Sequence, residues 1–400
     1  MFSKISNNTF SKNLKNYIKF NWYISSASRK EHIKDSKGIP DYDPGIEIAI
    51  NEGISWLMRA QDNSSSDDGG VASHYSLNNG WSSSYPETTG YIIPTLIEYS
   101  KSTNDKTIHA RVKRMLDWLV SIQFSEGCFQ GGIIGDVNFI PNTFNTGQIL
   151  LGLVAGVKKF GNKYHESMLK AADWLVMTQD SDGCWRNYPS HLVKSSEKTY
   201  ETHVAWGLLE VARYTGESKY EEAALKNIWW ALKFQEENGW FNNCSFGDHS
   251  QPLTHTLGYA FRGILEAYQY SGNSEIYSAC EKTADGLLTA ISSNGFLPGR
   301  LRSDWSGSVS WVCLTGSVQI AYCLLKLHQI KNNIHYRDAA YALNQYVRRT
   351  MNTNGPLEIK GAIKGSFPIY GDYTQYSYIS WACKFYIDSN MLEKTIKKQT

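Results

Sequence analysis

A repeated unit of about 56 residues restricts the possible folds of this chain more than any other feature. In its clearest copy an amphipathic helical stretch over 171–178 ends at Gln179. A loop containing Gly183 and Trp185 follows, and a second helical stretch begins near Tyr200. A period of this length with two helices in each unit is typical of helical repeat architectures.

The landmarks of this unit recur along the chain. A glutamine ends four helical runs, at Gln61, Gln123, Gln179 and Gln235. Glycines follow in the loops, at Gly69, Gly127, Gly183, Gly239, Gly295 and Gly355. A second series of glycines marks the intervening helices, at Gly90, Gly147, Gly207, Gly258 and Gly316. Because a lone helical hairpin cannot bury its own apolar face, six such units must pack side by side.

The hydrophobic pattern predicts two rings of helices. Apolar residues at helical spacing predict outer helices over 46–61, 106–123, 166–179, 220–235, 275–292 and 336–351. Stretches that are apolar nearly all round predict buried inner helices over 87–101, 144–160, 200–215, 254–271, 310–329 and 374–390. Glycine inside a helix costs roughly 1 kcal/mol, so its repetition indicates that the inner helices approach closely. The predicted fold is an all-α (α/α)6 toroid.

The repeat runs from residue 46 to the end without a linker, which predicts one toroid domain over 45–392. Residues 1–44 form a predicted basic arm, with eight Lys or Arg against two acidic residues in the first 40. Residues 393–400 form a predicted basic tail. The arm is interpreted as a solvated extension, or as a contact for a polyanion or a membrane face.

Composition excludes several classes of protein. The 40 basic residues nearly balance the 38 acidic ones, so no nucleic-acid partner is predicted. No segment is apolar enough for a membrane span, and the N-terminus lacks a secretory signal. Seven scattered cysteines without a close pair indicate reduced thiols. We therefore expect a cytoplasmic protein, and the oligomeric state is left open.

The pattern Gln-x3-Gly-x-Trp/Phe after an outer helix resembles the repeat motif of the squalene and oxidosqualene cyclases and, more loosely, of the protein prenyltransferase β-subunits. The resemblance covers residues 46–390 and implies an α/α toroid. Similar toroids carry glycoside hydrolases, polysaccharide lyases and the C-terminal domain of glucuronyl C5-epimerases. Because one fold hosts several chemistries, the site has to decide the function.

Residues that terpenoid chemistry needs are missing from the predicted inner-helix starts. A cyclase that protonates an alkene uses an Asp-x-Asp-Asp motif, which Asp67-Asp68 does not form. A prenyl-diphosphate enzyme needs an Asp-rich metal box or a zinc ligand set. His203 and His255 each lack a second ligand three or four residues away. The sequence therefore predicts neither a metal nor a cofactor.

The loops that precede the inner helices are polar and aromatic, and the toroid brings them to one mouth. The predicted catalytic residues are His203, His255, Tyr85, Tyr200, Glu87 and Glu201. The predicted substrate-binding residues are Arg300, Arg302, Trp305, Tyr91, Arg186, Tyr188, His74, Asn145, Trp311, Lys364, Tyr373 and Tyr376, together with the loop histidine His191. Each of these residues could instead have a structural role, for example as a histidine of the core or as an aromatic ring that packs between helices.

This set suits removal of the C5 proton of a uronic acid. Arginine neutralises the substrate carboxylate, a histidine or an ionised tyrosine takes the proton, and a second tyrosine returns one. Both epimerase and lyase pass through an enolate-like intermediate, so residue types do not separate them. The mouth resembles those of toroidal lyases and C5-epimerases, but no motif matches either family residue for residue.

We therefore expect a carbohydrate-active enzyme that acts on a uronate-containing polysaccharide or oligosaccharide, in polysaccharide biosynthesis. One alternative is a terpenoid-cyclase-like or prenyl-transferring enzyme with an isoprenoid in a deep, mostly apolar cavity. Another is a glycan-binding scaffold, in which substituting His203 or His255 changes affinity only. A hydrolase stays open, with Glu87 and Glu201 as the carboxylate pair and Asp304 or Asp372 in reserve.

Overall fold

The computed structural model describes residues 24–103, 105–136, 140–190, 193 and 197–399. Within these ranges, α1 (Ser26–Asp35) precedes six outer and six inner helices. The outer helices are α2 (Ile46–Asp62), α4 (Lys106–Ser121), α6 (His165–Thr178), α8 (Ser218–Leu232), α10 (Ser274–Ala290) and α12 (Ile334–Thr350). The inner helices are α3 (Pro86–Thr103), α5 (Thr143–Phe160), α7 (Thr202–Thr215), α9 (Thr254–Ser271), α11 (Leu314–Lys331) and α13 (Ser380–Lys397). Each inner helix packs against the next and α13 packs against α3, so the predicted (α/α)6 toroid is confirmed.

The repeated glutamine joins each of the first four outer helices to the one that follows. Gln179 Nε2 donates to the carbonyl of Gly183 in its own loop, at 3.1 Å, and to the carbonyl of Ala223 on α8, at 2.8 Å. Gln61 donates in the same way to the carbonyls of Gly69 and Arg111. Gln123 donates to the carbonyls of Gly127 and Ser167. One side chain therefore satisfies a loop carbonyl and fixes the spacing of two neighbouring units.

The loop glycines allow each loop to lie against the next outer helix. Gly183 has a φ of +102°, and a Cβ built on it would lie 2.5 Å from the carbonyl oxygen of Lys226 on α8. In the sixth unit this position belongs to Gly361, where a Cβ would lie 2.2 Å from the carbonyl oxygen of Glu52. The sequence repeat had pointed to Gly355, which has nothing within 4 Å of its Cβ position.

Glycines on the inner helices mark close backbone contacts, as predicted. A Cβ on Gly152 of α5 would lie 2.3 Å from the carbonyl oxygen of Gly90 on α3. A Cβ on Gly207 of α7 would lie 2.7 Å from the carbonyl oxygen of Gly147 on α5. A larger residue at either position would push two inner helices apart and open the ring.

Short strands close the ring at the mouth. The described strands β1 (His74–Ser76), β2 (Gly80–Trp81) and β5 (Ser377–Ile379) form an antiparallel sheet in the order β2-β1-β5. The pairing of β1 with β5 joins the first unit to the last. A second pair consists of β3 (Val312–Cys313) and β4 (Ser366–Phe367). Because β3 and β5 take residues predicted to be helical, α11 and α13 begin at 314 and 380 instead of 310 and 374.

The ends of the chain contribute to the fold. Residues 1–23 of the predicted arm lie outside the described residues, whereas residues 26–35 form α1. At the other end α13 continues to Lys397. The domain boundaries at 44 and 392 stay predictions. All seven cysteines are buried and unpaired, and no described helix is long and apolar enough to cross a bilayer.

Replacing Gln179 with Ala removes its hydrogen bonds to the carbonyls of Gly183 and Ala223, and the Gly183 carbonyl keeps only the donor Asn227 Nδ2 at 2.9 Å. We expect a loss of about 1–3 kcal/mol in the free energy of unfolding, measured by urea denaturation. Gln345→Ala, at an exposed position on α12, is the control and should change the free energy of unfolding by less than about 0.5 kcal/mol. Equal effects of the two substitutions would contradict the role given to the repeated glutamine.

Candidate active site

A cavity of about 920 Å³ opens at the end of the toroid where the inner helices begin. Its wall includes Glu87 of α3, Asn145 of α5, His255 of α9 and Trp381 of α13, all in the first turns of their helices, and Tyr259 one turn further along α9. The loops before the helices supply further wall residues: Tyr85, Lys198, Tyr200, Glu201, Phe246, Arg300 and Tyr373. The start of α11 is not among the described residues that line the cavity.

Capping at the start of α5 shows how the sequence places such residues. The Asn142 side chain accepts a hydrogen bond from the backbone N–H of Asn145 at 2.8 Å, which begins the helix. Asn145 Nδ2 then donates to the carbonyl of Gln130 at 3.0 Å. Both bonds hold the Asn145 side chain against the preceding loop at the edge of the cavity.

Glu87 and Tyr85 form a buried pair in the cavity wall. Tyr85 Oη donates to Glu87 Oε2 at 2.6 Å, and Glu87 is 7% exposed. Burial raises the pKa of Glu87 to about 7, against the lowering effect of the Tyr85 hydrogen bond. A helix N-terminus favours an ionised carboxylate by only about 0.3–1 kcal/mol, so burial outweighs the position of Glu87 in the first turn of α3. A carboxyl with this pKa keeps a proton near neutral pH and can donate it.

Glu201 is a second buried carboxyl in the same wall. Burial raises its pKa to about 7, while the charge of Lys198 opposes the rise. Lys198 Nζ lies 3.2 Å from Glu201 Oε1 and donates to the carbonyl of Trp185 at 3.1 Å. Both side chains of this pair are almost fully buried. Glu201 therefore differs from Glu87 in having a cation as its partner.

His255 presents a neutral imidazole to the cavity. The carbonyl oxygen of the Gln319 side chain lies 2.8 Å from His255 Nδ1, so Nδ1 carries the proton and Nε2 keeps its lone pair. Burial lowers the pKa of His255 to about 4. The ring lies 4.4 Å from that of Tyr259 and 5.7 Å from that of Tyr373, measured between centroids.

His203 lies below the cavity wall. Its Nδ1 is 2.6 Å from the side-chain oxygen of Gln148, an arrangement that repeats the His255–Gln319 pair on other helices. The ring lies 4.6 Å from that of Tyr259, and burial lowers its pKa well below the usual value. His203 is 0% exposed, so in this structure it supports Tyr259 and does not face the cavity.

The rim of the cavity is charged. Arg300 lines the cavity, and its Nη1 donates to the carbonyl of Gln251 at 3.0 Å. Two exposed carboxylates, Asp248 and Asp372, also lie on this rim. An anionic ligand would therefore meet one arginine at the entrance, together with two acidic side chains.

The structure brings eight of the predicted site residues to the cavity wall. These are Tyr85, Glu87, Asn145, Tyr200, Glu201, His255, Arg300 and Tyr373. Their predicted roles remain predictions. Tyr91 is buried behind the wall with its ring 5.3 Å from that of Phe385. His191 lies outside the described residues.

Three predicted cationic residues are used in other contacts. Lys364 Nζ lies 2.6 Å from Asp35 and 2.8 Å from Glu31, in a buried cluster. Arg186 pairs with three carboxylates, those of Asp180, Asp182 and Glu197. Arg302 is exposed, and its Nη1 donates to the carbonyl of Gly307 at 2.6 Å. These three side chains are used in ion pairs and hydrogen bonds within the protein. Residue type and loop position alone do not reveal such partners.

The other predicted binding residues pack or bond outside the cavity wall. Trp305 packs on Trp240 with its Nε1 donating to a backbone carbonyl, and Trp311 covers Gly299 and Gly371. Tyr188 packs on Trp174, His74 belongs to β1, and Tyr376 Oη lies 2.9 Å from His32 Nδ1.

Sequence reasoning missed several wall residues, chiefly Lys198, Phe246, Tyr259 and Trp381. Tyr259 follows His255 by four residues and shares its helix face, so that spacing carried a usable signal. Lys198 lies in an irregular loop, where no periodicity points to it.

The raised pKa of Glu87 predicts a pH-dependent penalty on stability. The folded state holds the proton up to about pH 7, whereas the unfolded carboxyl loses it near 4.5. The free energy of unfolding therefore falls by roughly 3 kcal/mol as the pH rises from 4.5 to 7, and Glu87→Gln removes this fall. Urea denaturation at pH 5 and pH 8 should show that the advantage of Glu87→Gln over the unsubstituted protein grows with pH. Glu98→Gln, exposed on the same helix, is the control. A pH-independent difference for Glu87→Gln would contradict the raised pKa.

Solved structures with similar folds include enzymes that act on sugars. An unsaturated glucuronyl hydrolase specific for heparin aligns with a TM-score of 0.67 and 14% identity, covering 88% of this chain and 98% of its own. The unsaturated glucuronyl hydrolase of Bacillus sp. GL1 aligns with a TM-score of 0.69 and 14% identity, covering 87% and 96%. Cellobiose 2-epimerase from Bacillus thermoamylovorans B4167 aligns with a TM-score of 0.66 and 10% identity, covering 86% and 96%. At these identities the likeness shows the fold.

Curated proteins give no match to the chain. The family model of the squalene-hopene cyclase C-terminal domain matches residues 46–265, which is more than half of the chain. This match agrees with the repeat motif and with the observed toroid. The protein therefore belongs to the squalene-hopene cyclase C-terminal domain family.

Proposed function

We propose that the protein is a carbohydrate-active enzyme that transfers a proton at C5 of a uronic acid within a polysaccharide or oligosaccharide. The observation that carries the proposal is one cavity that holds a neutral base, His255, and an acid, Glu87, whose pKa burial raises to about 7. Both line the same cavity as Tyr373, whose ring centroid lies 5.7 Å from that of His255. General acid–base catalysis needs such a pair in one site.

The cavity suits a sugar ligand. Its volume falls within the usual range for small-molecule sites, and its walls carry aromatic rings with polar tips, among them Tyr200, Tyr373 and Trp381. Sugars offer both apolar ring faces and hydroxyl groups, which such a wall can contact together. The structural neighbours named above are sugar enzymes on the same fold, which supports this class of ligand.

In the proposed reaction His255 Nε2 removes the C5 proton, and the electrons move into the substrate carboxylate. Protonated Glu87 donates a hydrogen bond to that carboxylate, and Arg300 pairs with it at the rim. Return of a proton to the opposite face gives the epimer, and departure of the 4-O substituent gives the unsaturated product. Tyrosine would act only as a proton donor, because burial raises the pKa of the wall tyrosines Tyr85, Tyr200, Tyr259 and Tyr373.

Glycoside hydrolysis is a second candidate, and a specific observation favours it. Glu87 and Glu201 are two buried carboxyls in one cavity, and hydrolases place two carboxyls on either side of the scissile bond. Glu87 would protonate the leaving oxygen. The isoprenoid alternative expects a mostly apolar cavity, and most of the exposed lining is apolar. It gives no role, however, to Glu87, Glu201, Lys198 and Arg300 in the wall. It is therefore less favoured.

The deciding experiment incubates the protein in heavy water with alginate, polygalacturonate, heparosan, hyaluronan and their lyase-derived unsaturated oligosaccharides. Deuterium at C5, read by NMR, identifies an epimerase, and ultraviolet absorbance of a new 4,5-unsaturated end identifies a lyase. New reducing ends with neither signal identify a hydrolase. If no sugar reacts while squalene or farnesyl diphosphate binds, the carbohydrate proposal fails.

Substituting His255 with Asn removes the proposed base and keeps a side chain of similar polarity. We expect a loss of about 10²-fold or more in kcat on the substrate found above, with stability little changed. His335→Asn, exposed on α12, is the matched control and should leave kcat unaltered. Full activity in His255→Asn would exclude the assigned base.

Glu87→Gln separates the two candidate reactions. Gln still donates a hydrogen bond to a substrate carboxylate, so C5 exchange should persist at a reduced rate and should no longer decline as the pH rises through about 7. Gln cannot protonate a leaving oxygen, so hydrolysis should fall by about 10²-fold or more. Unchanged hydrolysis in the variant would rule out Glu87 as its acid.

A further inference from the structure

Helix α1 lies against the mouth of the toroid on the side of the last unit. The Ser25 side chain caps the helix by accepting from the backbone N–H of Ser28 at 3.0 Å, and its Oγ donates to the carbonyl of Leu77 at 2.6 Å. Ser28 Oγ donates to the Asn78 side chain at 2.8 Å. The start of α1 is therefore bound to the turn between β1 and β2. Strand β1 is the one that pairs with β5 and so joins the first unit to the last.

The end of α1 is held by a buried ion cluster. One oxygen of Asp35 accepts from Lys364 Nζ at 2.6 Å, and the other accepts from the backbone N–H of Ile369 at 2.8 Å. Glu31, one turn earlier, lies 2.8 Å from the same Lys364 Nζ. Asp35 and Lys364 are 2% and 1% exposed, so water does not screen their attraction.

Residues 368–376, between β4 and β5, form a loop that we call the wall loop, because Asp372, Tyr373 and Thr374 line the cavity. Thr374 and Tyr376 have φ values of +50° and +55°, a left-handed conformation that costs energy in residues with a Cβ. Such a conformation persists only where surrounding contacts hold it.

Helix α1 supplies several of those contacts. The Asp35 carboxylate holds Ile369 at the start of the wall loop. The His32 ring stacks on that of Tyr370 at 4.1 Å, and His32 Nδ1 lies 2.9 Å from Tyr376 Oη at the end of the loop. From the other side, Trp381 Nε1 donates to Tyr373 Oη at 2.9 Å. The wall loop is thus clamped between α1 and the start of α13.

We propose that α1 sets the shape of the active-site wall and that Asp35 is a positioning residue, which acts on substrate through Tyr373 and Asp372. The catalytic part of this inference rests on the proposed function. The placement of the wall loop by α1 does not, so a measurement without substrate tests it separately.

The first test is hydrogen–deuterium exchange of the full chain, read by mass spectrometry over 365–377. Asp35→Asn keeps the size of the side chain but removes the charge that faces Lys364, and we expect exchange in the wall loop to rise about tenfold. His32→Phe keeps the ring on Tyr370 and removes the bond to Tyr376, so it should raise exchange at the end of the loop. This second variant decides the matter if Asp35→Asn does not fold.

The matched control is Asp43→Asn. Asp43 lies in the same N-terminal segment and accepts from buried Arg348 at 3.0 Å, and neither residue is among the described residues of the cavity wall. It should lower the midpoint of thermal unfolding without raising exchange in the wall loop. Equal exchange in the wall loop of Asp35→Asn and of Asp43→Asn would overturn the proposal.

The second test uses the substrate identified under the proposed function. Asp35→Asn and His32→Phe should raise KM about tenfold with a smaller change in kcat, because the wall that contacts the substrate moves while Glu87 and His255 stay in place. Asp43→Asn should leave both constants unchanged. An unchanged KM in both α1 variants would overturn the positioning role. If the unsubstituted protein turns over no sugar, the proposed function fails, and the exchange result alone decides the role of α1.

Discussion

The hydrogen bonds of the repeated glutamine are the interaction on which the toroid depends. Gln179 binds the carbonyl of its own loop and the carbonyl of Ala223 on the next outer helix. Gln61, Gln123 and Gln235 also bond to the next outer helix, so each of the first four units fixes the orientation of the following one. A glycine whose Cβ would clash with that outer helix makes the loop fit. When this geometry is repeated around a ring, all inner helices begin at the same end. The site is a consequence of that arrangement, because wall residues such as Glu87 and His255 occupy first turns of inner helices.

The same ring explains why the carboxyls of the site are unusual. An inner-helix start is favourable for an ionised carboxylate, yet burial raises the pKa of both Glu87 and Glu201 to about 7. Closing the ring removes water from these groups, and each proton that they retain near neutral pH lowers the stability at higher pH. The cavity therefore holds two carboxyls with raised pKa values at the expense of stability above neutral pH.

Most of the fold could be predicted from the sequence, because the repeat period, the recurring glycines and the recurring glutamines all indicate the same helical hairpin. The exceptions are places where non-local pairing overrides a local pattern. Strands β3 and β5 take the residues expected to begin α11 and α13, and Gly361 occupies the position expected for Gly355. Inner-helix starts likewise pointed to Glu87 and His255, whereas long side chains in loops were poorly predicted. Lys364 turns away to Asp35, a residue 329 positions earlier in the chain, and no local pattern contains that partner.

Membership of a cyclase family is compatible with a cavity that contains acidic and basic side chains, because the family motif and the cavity belong to different parts of the structure. The family motif describes contacts between outer helices and loops, and these lie on the outside of the ring. The chemistry depends on the first turns of the inner helices and on loops such as the one that carries Tyr373, and the motif does not constrain either. A chain can therefore keep the glutamine and glycine contacts of the family while its cavity places Glu87, Glu201, Lys198 and His255 among apolar lining residues. In our proposals those side chains select the ligand and α1 holds the wall loop in place, so the site depends on contacts outside the family motif.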